Sequence, residues 1–146
     1  MTSDPGYTAS LDKARHLGLD VFVLPFRRAT GVAFSGGGRA YADLYGPPHT
    51  PEAALVLAHE VAHHELGHIA TGWTSTPAWV WEYPANRTAL DAVAPYYDED
   101  TMYRLREICR DHVRRLMQPY IDNEIWHHAD LCAALWAGCD VSGWPS

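Results

Sequence analysis

Along this chain the apolar residues come first in short blocks and then, from about residue 50, at helical spacing. Residues 1–10 are small, polar and turn-forming, which predicts a loose N-terminal tail. Residues 11–18 predict a short helix with Asp12 in its first turn and Gly18 as its stop. Val-Phe-Val-Leu at 21–24, closed by Pro25, and residues 30–34 and 40–45 read as three strands, the last ended by Gly46-Pro47-Pro48. Ser-Gly-Gly-Gly at 35–38 lacks the Lys-Ser/Thr of a phosphate-binding loop and leads into no helix, so it predicts a hairpin loop. The links between the strands are too brief for helical crossovers, and the expected sheet is antiparallel.

A long helix is expected to begin at Thr50-Pro51-Glu52. Thr50 can cap, Pro51 suits the first helical position and Glu52 meets the positive end of the helix. Its expected stop is near Gly72. Thr76-Pro77 offers another helix start, and residues 84–94 predict a helix ended by Pro95. Because proline belongs in a first turn, Pro84 puts Glu82 at or just before that helix's start. Residues 101–117 form an amphipathic pattern with Met102, Leu105, Ile108/Cys109, Val113 and Leu116 on one stripe, and Arg104, Arg110, Arg114 and Arg115 on a solvated face. A last helix is expected over 121–137, capped by Gly138. The fold class that follows is α+β: a small three-stranded antiparallel sheet packed on a helical bundle, in a single domain over residues 11–146.

Composition narrows the function more than the fold. A chain of 146 residues fits one domain and leaves no room for a separate recognition domain. The formal net charge of -7 argues against a general nucleic-acid binder, because phosphate is gripped by Lys and Arg. No segment approaches bilayer-spanning length and the N-terminus has no secretory pattern, so a soluble cytoplasmic protein is expected. Cys109, Cys132 and Cys139 lack close C-x-x-C spacing and read as reduced, mostly buried thiols.

The candidate chemistry sits on the long helix. Residues 55–70 contain two H-E-x-x-H frames end to end, His59-Glu60-x-x-His63 and His64-Glu65-x-x-His68. Two histidines four residues apart on a helix project from one face and can grip one zinc ion, while the Glu beside the first reaches a water at the metal as general base. A five-residue offset at about 100° per residue turns the second frame by about 140°, so the two cannot serve one cleft. The first frame has the more apolar neighbours, as a dry catalytic wall requires. The second, with Gly67 before its last His, looks locally more like many zinc proteases.

A catalytic zinc needs a third protein ligand and an open fourth position. Glu82 is the best candidate, and Asn86, four residues on, lies close enough to orient a ligating histidine. Tyr96, Tyr97, His112, His127 and His128 are possible proton donors, and nothing in the sequence selects one.

These residues resemble the ImmA/IrrE metallopeptidases. Leu57-Ala58-His59-Glu60-Val61-Ala62-His63, followed by Glu82-Tyr83-Pro84-Ala85-Asn86, Ala89 and Ala94-Pro95, matches that family's paired pattern, and the likeness covers roughly residues 11–95. Ala62 stands where the family commonly has Gly, and the second His-Glu pair is unusual for it. The resemblance implies a zincin-like fold, Zn2+ held by His59, His63 and Glu82, and Glu60 as base. It further implies a protein substrate, a helix-turn-helix repressor whose cleavage relieves repression of a mobile element or stress genes. The alternatives are a zinc-stabilised binding protein that docks to a repressor without cutting it, and a histidine cluster binding metal adventitiously on a DNA-associated protein.

Overall fold

The computed structural model describes residues 3–24, 27, 29–69 and 78–122. The protein is α+β, with four α-helices and a small mixed sheet among these residues. Helix α1 (Pro5–His16) starts well before the predicted residue 11, so much of the expected loose tail is helical. The reason is local: Asp4 accepts a hydrogen bond from Tyr7 N at 2.9 Å, and Pro5 occupies the first turn. Tyr7 and Ala14 then bury against the core, and Gly18 stops the chain at φ 76°.

Strands β1 (Val23–Leu24), β2 (Thr30–Gly36) and β3 (Arg39–Tyr45) form a sheet in the order β1-β3-β2. β2 and β3 make the expected hairpin, turning through Gly37 and Gly38 at φ 59° and 80°, the positive values a two-residue turn of the primed type demands. The sheet is not purely antiparallel, however. β1 pairs in parallel with β3, Val23 opposite Leu44. A short link forbids a parallel neighbour next in sequence, but it does not force β1 and β2 to touch; β3 returns between them and runs parallel to β1. The consequence is that β2 is an edge strand among the described residues.

Helix α2 (Pro51–Glu65) begins as its cap chemistry predicts, with Thr50 Oγ1 accepting from Ala53 N at 3.1 Å. It runs through the centre of the fold, and residues 53–63 except Val56 are buried against α1, the sheet and α3. It ends at Glu65 rather than near Gly72, because Gly67 adopts φ 75° and closes a left-handed cap. Helix α3 (Ala78–Val93) begins just after the Thr76-Pro77 start that the sequence offers, earlier than the helix expected from residue 84, and carries Pro84 in its interior. The proline removes one backbone donor, a loss set against the burial of Ala85, Ala89 and Val93 where α3 packs on α2. Glu82 thus lies within the helix, not at its start.

A 3-10 turn (Ala94–Tyr96) leads to α4 (Glu99–Asp122), which is longer at both ends than the expected 101–117. Asp98 caps it, accepting from Thr101 N at 2.8 Å. Met102, Leu105, Cys109, Val113 and Met117 are buried, whereas Ile108 is exposed and Leu116 only half-buried, so the stripe is narrower than its sequence pattern. Burial pushes the Cys109 thiol up to about 12, which keeps it protonated and inert. The helix expected over 121–137, His127, His128, Cys132 and Cys139 lie outside the described residues, apart from the first two positions of that helix, which end α4. Among the described residues no helix is long and apolar enough to cross a membrane.

Candidate metal centre

The first H-E-x-x-H frame is buried and convergent. His59, Glu60 and His63 are each under a tenth exposed and form a group that could hold a metal ion. Their four-residue helical spacing brings His59 Nε2 and His63 Nε2 to 3.0 Å. From α3, Glu82 Oε2 reaches 2.6 Å from His59 Nε2 and 3.4 Å from His63 Nε2. Three donors around a tetrahedral zinc at about 2.0–2.1 Å stand roughly 3.3 Å from one another, which the two separations from His63 approach, while His59 Nε2 and Glu82 Oε2 at 2.6 Å must part to admit an ion. Beyond those two imidazole nitrogens, Glu82 Oε2 has no hydrogen-bond partner among the described residues. Two imidazoles and one carboxylate oxygen fit a borderline-soft divalent cation.

The charges follow from this crowding. Burial opposes a charged Glu82, yet its hydrogen bonds and attraction to His59 and His63 outweigh burial and hold its carboxyl far below the usual carboxylate range. Burial likewise opposes the His59 imidazolium, but the hydrogen bond that its Nε2 donates to Glu82 and the charges of Glu60 and Glu82 raise its pKa. Glu60 is raised chiefly by burial, with the Glu82 charge adding to it and the two histidines opposing.

The second frame does not assemble. His64 Nε2 bonds the Tyr41 carbonyl oxygen on β3 at 2.7 Å, and Glu65 pairs with Lys13 at 2.9 Å. His68 lies beyond the end of α2, and its Nδ1 comes to 2.8 Å from His63 Nδ1. The cause is the cap at Gly67: Gly67 N bonds His64 O and His68 N bonds His63 O, so the chain folds back over the first frame. His64, Glu65 and His68 therefore go to three different places.

Asn86 is buried beside the cluster. It contributes to raising His59 and places Nδ2 3.4 Å from His112 Nδ1. Among the candidate proton donors, Tyr97 donates its hydroxyl proton to Asp4 and Tyr96 lines a cavity on the opposite side of α2, so neither serves the cluster. His112 does reach it, its ring 5.8 Å from that of His59.

Two clefts meet at Glu60 and Glu82. One, about 410 Å³, is walled by β2 from Gly31 to Ser35 and by His63, His68 and Trp81. The other, about 330 Å³, is walled by Asn86, His112 and Arg115. Sequence reasoning singled out neither Gly31 nor Trp81; each works through packing, and neither carries a chemical motif. No protein-family model matches the chain, and no curated protein and no solved structure matches it either.

Proposed function

We propose that this protein is a zinc-dependent endopeptidase with a zincin-like fold, of the kind its resemblance to the ImmA/IrrE metallopeptidases implies. The observation that carries the reading is the convergence of His59 Nε2, His63 Nε2 and Glu82 Oε2 within 3.4 Å, with buried Glu60 in the same group. In this reading His59, His63 and Glu82 hold Zn2+. When bound, the ion supplies a Lewis acid that polarises the scissile carbonyl and makes water more acidic.

Glu60 takes the proton of the attacking water and passes it to the leaving amine, a task suited to its raised pKa. The edge of β2, which lines the larger cleft and has no strand partner among the described residues, offers main-chain donors and acceptors to an extended peptide. Asn86 donates to His112 Nδ1, which leaves the proton of the neutral imidazole on Nε2, free to stabilise developing negative charge at the carbonyl oxygen. By the same resemblance, the substrate is a helix-turn-helix repressor.

The test pairs two variants. Glu60→Gln is expected to keep one zinc per chain and lose cleavage of a cognate repressor; Glu82→Ala is expected to lose the zinc itself. Unchanged cleavage by Glu60→Gln, or full zinc retention by Glu82→Ala, contradicts the reading.

A further inference from the structure

The doubled motif leaves one residue whose place the proposed chemistry does not use. His63 is committed at both ring nitrogens: Nε2 faces His59 and Glu82, and Nδ1 stands 2.8 Å from His68 Nδ1. A hydrogen bond between two ring nitrogens has one donor and one acceptor. A ligating Nε2 must offer its lone pair, so the single proton of neutral His63 is on Nδ1, and His68 Nδ1 accepts it. That in turn puts the His68 proton on Nε2.

We infer that His68 is a positioning residue, the acceptor that fixes the tautomer and ring orientation of His63 for metal binding. The inference rests on the metal-centre reading above. Ligating histidines commonly donate their outer N–H to a carboxylate, carbonyl or water; here a second imidazole takes that place. Two further contacts hold His68 there. Its backbone N bonds His63 O at 3.0 Å, so the same pair is joined through main chain and side chain, and its ring packs edge-on against Trp81 at 4.8 Å.

The same contact keeps His68 Nδ1 from the ion, because it meets the outer nitrogen of His63, not the inner one. The significant spacing in the doubled motif is thus five residues across a helix cap, His63 to His68, and not the four of the second H-E-x-x-H frame.

Zinc affinity of the full chain, measured by competition with a chromophoric chelator, tests this in wild type, His68→Phe and His68→Gln. Phe keeps an aromatic ring against Trp81 but accepts no hydrogen bond, and is expected to weaken zinc roughly 10- to 100-fold while still binding one ion. Gln offers a carbonyl oxygen to His63 Nδ1 and is expected to recover most of the loss. The cobalt-substituted Phe variant is expected to show shifted absorption bands, a change that loss of packing alone does not produce. Zinc binding by Phe within about twofold of wild type, or equal impairment in Phe and Gln, overturns the inference. If wild type itself binds no zinc, the metal-centre reading falls with it; if wild type binds and Phe is unimpaired, only the role of His68 falls.

Discussion

Gly31 lies directly against Glu60: a Cβ on residue 31 would stand 2.7 Å from Glu60 Cγ, 2.8 Å from Val56 Cγ1 and 3.0 Å from the Asp43 carbonyl oxygen. The missing side chain lets the edge strand β2 descend onto α2 at the proposed base. Its neighbours cannot give way cheaply, since Glu60 is buried and the Asp43 oxygen belongs to the backbone of β3. Gly31→Ala is therefore expected to destabilise the fold by about 1–3 kcal/mol through overpacking and to lower turnover by displacing Glu60. Zinc stoichiometry should stay at one, because no ligand atom is touched. Denaturant unfolding, metal content and cleavage rate together check this; a wild-type unfolding midpoint would show that β2 and α2 are not held this close.

What the sequence made legible was local chemistry. Thr50-Pro51-Glu52 marks the start of α2 because capping involves only neighbours, and His59, Glu60 and His63 share a face because helical spacing alone puts them there. Glu82 was legible as a residue but not in its setting, since a proline rule valid for first turns was contradicted by burial of the turns around Pro84. The partner of β1 was not legible: a two-residue strand has too little pattern to choose a neighbour, and β3 takes the place between it and β2. Gly67 did carry a signal, as a glycine after a periodic run, but continuing the apolar pattern toward Gly72 ran past it. Nothing in the sequence marks Gly31, whose importance lies wholly in what it faces.

Protonation should set opposite limits on the metal-free and zinc-loaded forms. Glu82 is depressed from its ordinary value of 4.5, so its contribution to folding is present above that value and is lost as pH falls through the depressed one. His59 is raised above its ordinary value of 6.5, so its contribution is complete below 6.5 and is lost as pH rises through the raised value. Metal-free protein should therefore lose stability on the alkaline side of His59's raised pKa, as the pair with Glu82 loses its proton. Zinc must displace that same proton, and its apparent affinity should climb by about tenfold per pH unit until the raised pKa is passed, then level. Thermal unfolding of the metal-free protein and chelator competition, each run across that range, check both signs. Zinc affinity independent of pH through this range would mean that His59 is not a ligand.

Gly67 connects helix termination to the site. Its φ of 75° is strained for any residue with a side chain, yet a Cβ there would meet open space, so replacing it tests conformation without a clash. Gly67→Ala is expected to cost about 1–2 kcal/mol from the left-handed backbone alone. Gly67→Asn should cost less, since Asn tolerates that conformation. The effect should not end with stability. The turn at Gly67 carries His68 N to the His63 carbonyl oxygen and His68 Nδ1 to His63 Nδ1. If the alanine variant relieves its strain by opening the cap, His68 leaves His63, and zinc should weaken in step with the loss expected in His68→Phe. Combining Gly67→Ala with His68→Phe should then weaken zinc little beyond either change alone, because both remove the same acceptor. Fully additive losses in the double variant would separate the cap from the metal ligand.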